Sequence, residues 1–273
     1  MIIGLDVGAY LTKGVLMENN RIIKKSSILT DEKAESALKT LKILLDERLD
    51  IVRAVGISGG GSRKVKRDLL GLPAVKVDEI KAIGLGGLML SGREEALIVN
   101  AGTGTAIVAA YETGKKIMHV GGTGVGGGTL LGLSMRMLGT SDFREIEELA
   151  INGDPGKVDL KVSDIVGGPI GIVPSEATAS NFGRIEAEAS REDVAAGIFN
   201  MVCQVIGVVG AMAAKAYNLN SSVVVTGGLV RSRLASEIIV DTMRLFGIEP
   251  VIPENGEYCT AIGAAQFLLK RMT

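Results

Sequence analysis

The order of apolar and polar residues predicts an α/β chain that begins with three strands. Alternation over residues 2–7, 13–17 and 21–27 is typical of strands, and Glu18-Asn19-Asn20 is a hairpin signal. Asp31 precedes apolar residues spaced three and four apart, so we predict that it caps a helix. A strand, a helix, a short strand and a second helix are predicted at residues 52–57, 62–70, 74–77 and 79–90.

The same series of elements then starts again. Strands are predicted at 96–100, 105–111, 116–120, 222–226 and 250–252, and helices at 128–138, 142–150, 191–217, 231–245 and 257–271. The two series share element order but little sequence, which indicates a diverged duplication with its seam near Ser91-Gly92-Arg93. We therefore expect an α/β fold with mixed sheets covered by helices, divided into residues 1–91 and 92–273.

Composition narrows the possible partners. Thirty basic and thirty-one acidic residues give a net charge of −1, whereas a general polyanion binder has a basic excess, so neither nucleic acid nor a membrane is expected. The most apolar stretch, residues 205–214, is too short to span a bilayer. With two cysteines and a strand that starts at once after Met1, we predict a cytoplasmic protein. A single histidine, His119, excludes multi-histidine metal sites.

Glycine is enriched to 37 of 273 residues, and four glycine-rich turns each follow a predicted strand. The first contains Asp6 and Gly8 and leads to Lys13; a carboxylate there suits Mg²⁺, and a lysine suits phosphate. A plain hairpin is the alternative. The second turn, Asn100 to Thr105, offers amide and hydroxyl donors to phosphate or substrate, and a tight hairpin would explain its glycines equally well.

The third and fourth turns complete this set. Residues 121–129 hold six glycines and open a helix, which predicts an anion site of free amides at a helix N-terminus. A flexible linker is the alternative. The spacing from Gly122 to Gly127 fits a dinucleotide motif but follows a meander, so a dinucleotide fold is not favoured. The fourth turn ends a buried strand at Gly227-Gly228.

A general base is the remaining requirement for transfer to a hydroxyl group. Asp78 and Glu79 stand at the start of a predicted apolar helix, where capping alone would explain one carboxylate. We take Glu79 as the candidate base.

These motifs together resemble the superfamily of actin, sugar kinases and heat-shock ATPases, and within it the type II pantothenate kinases. The matching stretches are Gly4-Leu5-Asp6-Val7-Gly8 with Lys13, Asp78-Glu79, residues 100–105, residues 121–132, Asn152-Gly153-Asp154, Asp159-Leu160-Lys161-Val162, Thr178 to Gly183 and Glu254-Asn255-Gly256. They occur in order along nearly the whole chain.

The resemblance implies a two-lobed actin-like ATPase fold of duplicated ribonuclease H-like domains. It also implies a homodimer that phosphorylates pantothenate with ATP and Mg²⁺, the first step of coenzyme A synthesis. Glu79 would be the base. Asp6 would hold Mg²⁺ through water, and Lys13 would contact the transferring phosphate. The residues implied to contact ATP are Gly8, Lys13, Gly121, Gly122, Gly124, Gly126, Gly127, Gly128, Thr129, Phe182, Gly227 and Gly228. Those implied to contact substrate are Glu79, Thr103, Gly104 and His119.

Two departures from the family pattern leave alternatives open. His119 stands where the family usually has an arginine that contacts substrate, so either substrate choice differs, with Arg184 or Lys116 compensating, or His119 merely ends a surface strand. Ala9-Tyr10 replaces the usual Gly-Thr and is expected to reshape the phosphate turn.

Three other functions compete with pantothenate phosphorylation. One is a nucleotide-binding regulator without catalysis, and another is a kinase for a different hydroxylated acid or sugar. The third, an iron–sulfur dehydratase activator, requires a cysteine at the start of a helix in the second half. Cys203 and Cys259 do not stand in the two segments expected to hold it.

Apolar residues cover most faces of the predicted helix at 191–217, where alanines and glycines are frequent. This pattern suits either deep burial or a contact between subunits.

Overall fold

The first sheet is built from the N-terminal meander and three later strands. The computed structural model describes residues 1–45, 51–65, 68–185 and 188–272. The strands are β1 (Ile2–Val7), β2 (Leu11–Glu18), β3 (Arg21–Leu29), β4 (Ala54–Ser58), β5 (Asp68–Leu69) and β6 (Leu72–Lys76), in the order β3-β2-β1-β4-β6-β5. β1 pairs antiparallel with β2 and parallel with β4, so the sheet is mixed, as predicted.

The second sheet repeats this arrangement. The later strands are β7 (Ala96–Ala101), β8 (Thr105–Tyr111), β9 (Lys116–Thr123), β10 (Leu160–Lys161), β11 (Thr178–Ser180) and β12 (Val223–Thr226). The order β12-β7-β8-β9 places the first strand of the meander between its hairpin partner and a parallel strand, as in the first sheet. β10 and β11 form a separate pair that the sequence pattern did not predict.

Eight helices cover the sheets in the described part of the chain. They are α1 (Lys33–Leu45), α2 (Glu79–Ser91), α3 (Gly127–Leu138), α4 (Phe143–Ile151), α5 (Val162–Val166), α6 (Arg191–Ala216), α7 (Arg233–Arg244) and α8 (Cys259–Met272). α1 packs on the face of the first sheet that carries Leu5, and α8 packs on the opposite face with Val15. On the second sheet, α6 covers the Val99 face and α2 covers the Ile98 face.

Helices α2 and α8 cross between the sheets at backbone contact. A Cβ atom at Gly263 would lie 1.7 Å from the carbonyl oxygen of Ala82, and one at Gly86 would lie 2.0 Å from that of Cys259. Each helix belongs by sequence to one half of the chain but packs on the sheet of the other half. The division between residues 91 and 92 stays a prediction.

Helix α6 satisfies the length and hydropathy criteria for a membrane span. It has 26 residues, its most apolar 18-residue window has a mean hydropathy of 1.9, and 61% of that window is buried in the protein. The apolar segment is therefore longer than the stretch 205–214 considered above. Burial against the core explains its composition, because side chains such as Phe199 and Ile206 are fully enclosed.

Three sequence predictions are wrong in detail. Glu32, not Asp31, caps α1: its carboxylate accepts hydrogen bonds from the amides of Ala34 and Glu35. The helix predicted at 62–70 is a single 3-10 turn, Ser62–Lys64, followed by β5; residues 66 and 67 lie outside the described part. The strand predicted at 250–252 contributes only one bridge, from Val251 to Val224.

Candidate functional site

Three polar side chains form a row across the middle of the first sheet. Asp6 is paired with Lys13 on β2 and with Ser58 on β4, so the three residues occupy neighbouring register positions on adjacent strands. The Ser58 hydroxyl is buried and has no hydrogen-bond partner among the described residues. Asp6 is therefore a strand residue and not part of a hairpin turn.

Lys13 is buried and hydrogen-bonded to the C-terminal half of the chain. Its side chain is 7% exposed, and its Nζ donates a hydrogen bond of 2.9 Å to the carbonyl oxygen of Glu257. Burial lowers the pKa of Lys13, while the charges of Asp6 and Glu257 oppose that change. Burial likewise raises the pKa of Asp6, against the effect of Lys13. Keeping these two opposite charges buried is costly, and perturbed groups of this kind are typical of functional sites.

Glu79 lies at the first position of α2, directly after the capping residue. Asp78 caps the helix by accepting a hydrogen bond of 3.0 Å from the Lys81 amide, so capping accounts for Asp78 and leaves Glu79 free of that role. Burial raises the pKa of Glu79, and repulsion from Asp6 and Asp78 raises it further. Glu79 is thus within electrostatic range of Asp6, as a base beside a phosphate site requires.

Two glycines shape the backbone around Asp6. Gly59 has a φ of +84°, and a Cβ atom there would lie 2.4 Å from the Asp6 carboxylate. Gly8 closes the β1–β2 turn, with its amide donating to the carbonyl oxygen of Leu11 at 3.1 Å. Any side chain at Gly59 would displace Asp6, so this position requires glycine.

The start of α3 does not present the free amides that the sequence predicted. The amides of Gly127 and Gly128 donate hydrogen bonds of 2.8 Å to the carbonyl oxygens of Gly102 and Thr103. The amide of Gly126 donates to the hydroxyl of Thr129 at 3.2 Å. The amides of Gly127 and Gly128 are occupied because the β7–β8 turn packs directly on them, so the second and third glycine turns form one unit.

The first residues of the third turn belong to a strand. Gly121, Gly122 and Thr123 continue β9 and pair with Ile107, Ala106 and Thr105. A Cβ atom at Gly121 or Gly124 would meet no atom within 4 Å, so space is open beside both residues.

His119 lies in the middle of β9, on its exposed side. It pairs with Val108 next to a register shift that leaves Val120 as the extra residue. His119 is therefore exposed at the surface, as one interpretation expected, but it does not end the strand, because β9 continues to Thr123.

The fourth turn lies between the Asp6 row and the paired glycine turns. A Cβ atom at Gly227 would lie 2.4 Å from the carbonyl oxygen of Ala101, and one at Gly228 would lie 3.7 Å from Lys13 Nζ. A Cβ atom at Gly127 would lie 3.7 Å from Leu229 Cδ2, so Leu229 packs beside Gly127. Residues 227–229 thus bring the Asp6 row next to the paired turns at 102–104 and 126–128.

Several predicted residues have other contacts. Phe182 packs against Gly197 of α6, and its amide donates to the Asp159 carboxylate at 2.8 Å. Arg184 forms an ion pair with Asp164, and Lys116 lies over the Tyr111 ring. Thr103 is exposed, and its carbonyl oxygen is used by Gly128. Within the described residues, no contact joins Phe182, Arg184 or Lys116 to the Asp6 row.

Sequence reasoning missed Ser58, Gly59 and Glu257. Ser58 and Gly59 follow a predicted strand, as the four selected turns do, and this shared placement was the available signal. Glu257 contributes only a backbone carbonyl, which no side-chain pattern reveals.

The model of the family described as Fumble matches residues 95–266. The chain belongs to the Fumble family. This Fumble chain is 29% identical to a type II pantothenate kinase of Staphylococcus epidermidis, over 97% of this chain and 99% of the relative. It is 28% identical to a type II pantothenate kinase of Bacillus cereus, over 96% of each protein.

Solved structures show the same fold as this Fumble protein. The activator of the 2-hydroxyisocaproyl-CoA dehydratase from Clostridium difficile with bound ADPNP has a TM-score of 0.69 and 18% identity, over 99% of this chain and 94% of that chain. A ROK-family glucokinase from Streptomyces griseus in complex with glucose and AMPPNP has a TM-score of 0.61 and 15% identity, covering 97% and 98%. The predicted actin-like ATPase fold is confirmed.

Proposed function

We propose that this Fumble protein transfers the γ-phosphoryl group of ATP to the hydroxyl group of pantothenate, forming 4′-phosphopantothenate in coenzyme A synthesis. The observation that carries the proposal is the position of Glu79. It lies within electrostatic range of Asp6 and has a raised pKa, while its neighbour Asp78 provides the helix cap. The names of the relatives support pantothenate as the acceptor.

In this mechanism Glu79 accepts the proton of the acceptor hydroxyl as the hydroxyl oxygen attacks the γ-phosphorus, and the bond from that phosphorus to the bridging oxygen breaks to release ADP. A base is most effective when its pKa approaches the working pH, and burial raises the pKa of Glu79 in that direction. Lys13 supplies positive charge to the transferring phosphoryl group. Its position is fixed by the Glu257 carbonyl, so little reorganisation is needed during the reaction.

The residues around Asp6 fit a hydrated Mg²⁺. No group of three or more acidic, histidine or cysteine side chains is arranged to hold a metal within the described ranges, and Mg²⁺ commonly keeps waters and uses one or two carboxylates plus substrate phosphates. The Asp6 carboxylate would hold it, and the unpartnered Ser58 hydroxyl lies in the same row. When bound, Mg²⁺ neutralises charge on the β- and γ-phosphates.

We assign the phosphates to the open side of the paired glycine turns. The amides of Gly127 and Gly128 are occupied, so Gly121 and Gly124, which have open space beside them, are better placed to admit an anion. Gly8, Gly227 and Gly228 would line the same site near Lys13. The contacts of Gly122, Gly126 and Thr129 with ATP, of Phe182 with the nucleoside, and of Thr103, Gly104 and His119 with the acceptor stay predictions.

A decisive test is to replace Glu79 by glutamine, which keeps the size of the side chain and removes the base. We expect Glu79→Gln to lower kcat by at least about a hundredfold, the scale of general base catalysis, with ATP affinity nearly unchanged. Transfer from labelled ATP to pantothenate, pantetheine and a set of sugars measures both rate and acceptor. Normal turnover in the variant would show that Glu79 is not the base.

The competing functions give different results in the same assay. Binding of ATP without transfer to any acceptor indicates a regulator, and transfer to a sugar but not to pantothenate indicates a different kinase. A dehydratase activator is disfavoured, because Cys203 and Cys259 are both buried and burial raises the pKa of each thiol to about 12. Such thiols are poor ligands for a cluster shared between subunits.

We also propose that the protein is a cytoplasmic homodimer that associates through α6. Four apolar residues spaced along one side of this helix are partly exposed: Met201, Val205, Val208 and Met212. Val208 and Met212 are 37% and 44% exposed. An apolar stripe on an otherwise buried helix is typical of a subunit contact.

A further inference from the structure

A concave site that shares no lining residue with the Asp6 row lies at the junction of α2, α8 and the β8–β9 turn. It encloses about 270 Å³ and is lined by residues from all three elements. Its floor is apolar and consists of Leu85, Ile117 and Phe267, and its rim is cationic and consists of Lys81, Lys115, Lys270 and Arg271.

The cationic rim is not neutralised by direct ion pairs. Within the part of the chain that the structure describes, none of the four side chains forms an ion pair with a carboxylate. Two are held in place by other contacts: Lys270 Nζ donates to the Thr113 carbonyl oxygen at 2.6 Å, and the Arg271 guanidinium lies 5.4 Å from the Phe267 ring centroid. Four like charges around one cavity create a positive potential that an anion relieves.

The backbone of the turn packs closely against both helices. Gly114 has a φ of +90°, and a Cβ atom there would lie 2.7 Å from Leu85 Cδ2 and 3.4 Å from Lys270 Nζ. The turn therefore rests directly on both helices, and a ligand would find the site already formed. Binding to a preformed site costs less conformational entropy than binding to mobile side chains.

We propose that this site binds a phosphate monoester with a short apolar body. Charge on the rim favours a group that carries close to two negative charges and several acceptor oxygens, which a phosphate monoester provides. The floor of Leu85, Ile117 and Phe267 removes apolar surface of the ligand from water. A volume of about 270 Å³ equals that of roughly nine liquid waters, which limits the ligand to a small molecule.

Isothermal titration calorimetry of the full chain with inorganic phosphate, ethyl phosphate, butyl phosphate and butanol separates the contribution of the phosphate group to affinity from that of the apolar chain. Each buried methylene is expected to strengthen binding about fourfold, so butyl phosphate binds about fifteenfold more tightly than ethyl phosphate, in a 1:1 complex. Butanol and inorganic phosphate bind more weakly than either ester. Equal affinity for inorganic phosphate and butyl phosphate, or no saturable binding at millimolar concentration, overturns the proposal.

Charge-neutralising variants locate the binding site. Lys81 and Lys115 are exposed, and the double variant Lys81→Gln/Lys115→Gln is expected to weaken butyl phosphate about fivefold. The matched control Lys42→Gln/Lys64→Gln removes two exposed lysines, one of them on α1, which covers the opposite face of the first sheet from α8; it leaves affinity unchanged. An undiminished affinity in the first double variant, or a loss on Lys13→Met instead, would place the anion elsewhere and refute the site.

A chemical readout gives an independent check. Saturating butyl phosphate is expected to slow acetylation of Lys81 and Lys115 at least threefold, measured by mass spectrometry, while Lys42 reacts at its original rate. Equal protection of all three lysines would mean diffuse electrostatic binding and would overturn the proposal.

Discussion

Carboxylates crowd the start of α2, and their mutual repulsion defines the electrostatics of the candidate site. Glu79 lies next to Asp78 in sequence and within electrostatic range of Asp6. Burial is the largest cause of its raised pKa, and the charges of Asp6 and Asp78 raise the pKa further. Ionisation of Glu79 therefore becomes easier when either neighbour loses its charge. This linkage is open to direct measurement.

Replacing Asp78 by asparagine tests this repulsion and preserves the helix cap, because asparagine caps as well as aspartate does. The pKa of Glu79 is raised by Asp78, so removing that charge lowers it. We expect the acidic limb of the pH profile of kcat/KM to move to lower pH in Asp78→Asn, since the base then stays ionised in more acidic solution.

The control for this experiment is Asp142→Asn at the cap of α4, where the same carboxylate also accepts helix amides. It should leave the acidic limb unchanged. A limb that does not move in Asp78→Asn, or that moves equally in both variants, would exclude Glu79 as the group that titrates.

Sequence reasoning identified Asp6, Lys13 and Glu79 from residue type and from their position beside strands and helix ends. It missed Ser58, because register between distant strands is a tertiary property that no local pattern contains. It also misjudged the amides of Gly127 and Gly128. Helix N-termini have free donors only if no other backbone reaches them, and here the β7–β8 turn does so.

Among the elements, periodic segments were predicted well and short irregular ones were not. β1, α2 and α6 match their predicted bounds within two residues, since each has a continuous apolar pattern. The segment at 62–70 has helix-compatible residues but forms a 3-10 turn and a strand pair, because β5 adds to the edge of β6. Tertiary pairing overrides local propensity in such segments.

At the crossing of α2 and α8, Gly263→Ala tests the backbone contact. The added Cβ would lie 1.7 Å from the Ala82 carbonyl oxygen, so the helices must separate, and we expect the free energy of unfolding to fall by about 3 kcal/mol or more. Urea denaturation measures the change.

Gly132 provides the matched control for this substitution. It lies within α3, and a Cβ there would come no closer than 3.9 Å to Arg136. Gly132→Ala should therefore raise the free energy of unfolding by about 0.5–1 kcal/mol. Similar effects of the two substitutions would contradict the close crossing.

For the whole molecule, the exposed stripe on α6 makes the proposed dimer testable. Val208→Asp places a charge in the centre of the stripe, and a charge buried without a partner in an interface is strongly unfavourable. We expect sedimentation velocity at micromolar concentration to show a monomer for the variant and a dimer for the unaltered protein.

Lys42→Asp, at an exposed position of α1, should leave association intact. A dimer that survives Val208→Asp would mean that the contact lies elsewhere. A monomeric unaltered protein would exclude the dimer itself.

The exchange of α2 and α8 between the sheets also constrains how the protein is made. The strands of the first sheet are translated before α8, so the face that α8 covers stays exposed until that helix has been made. The apolar side chains on that face must therefore remain soluble throughout synthesis, and a premature stop before α8 would leave a nascent chain that chaperones retain and proteases remove.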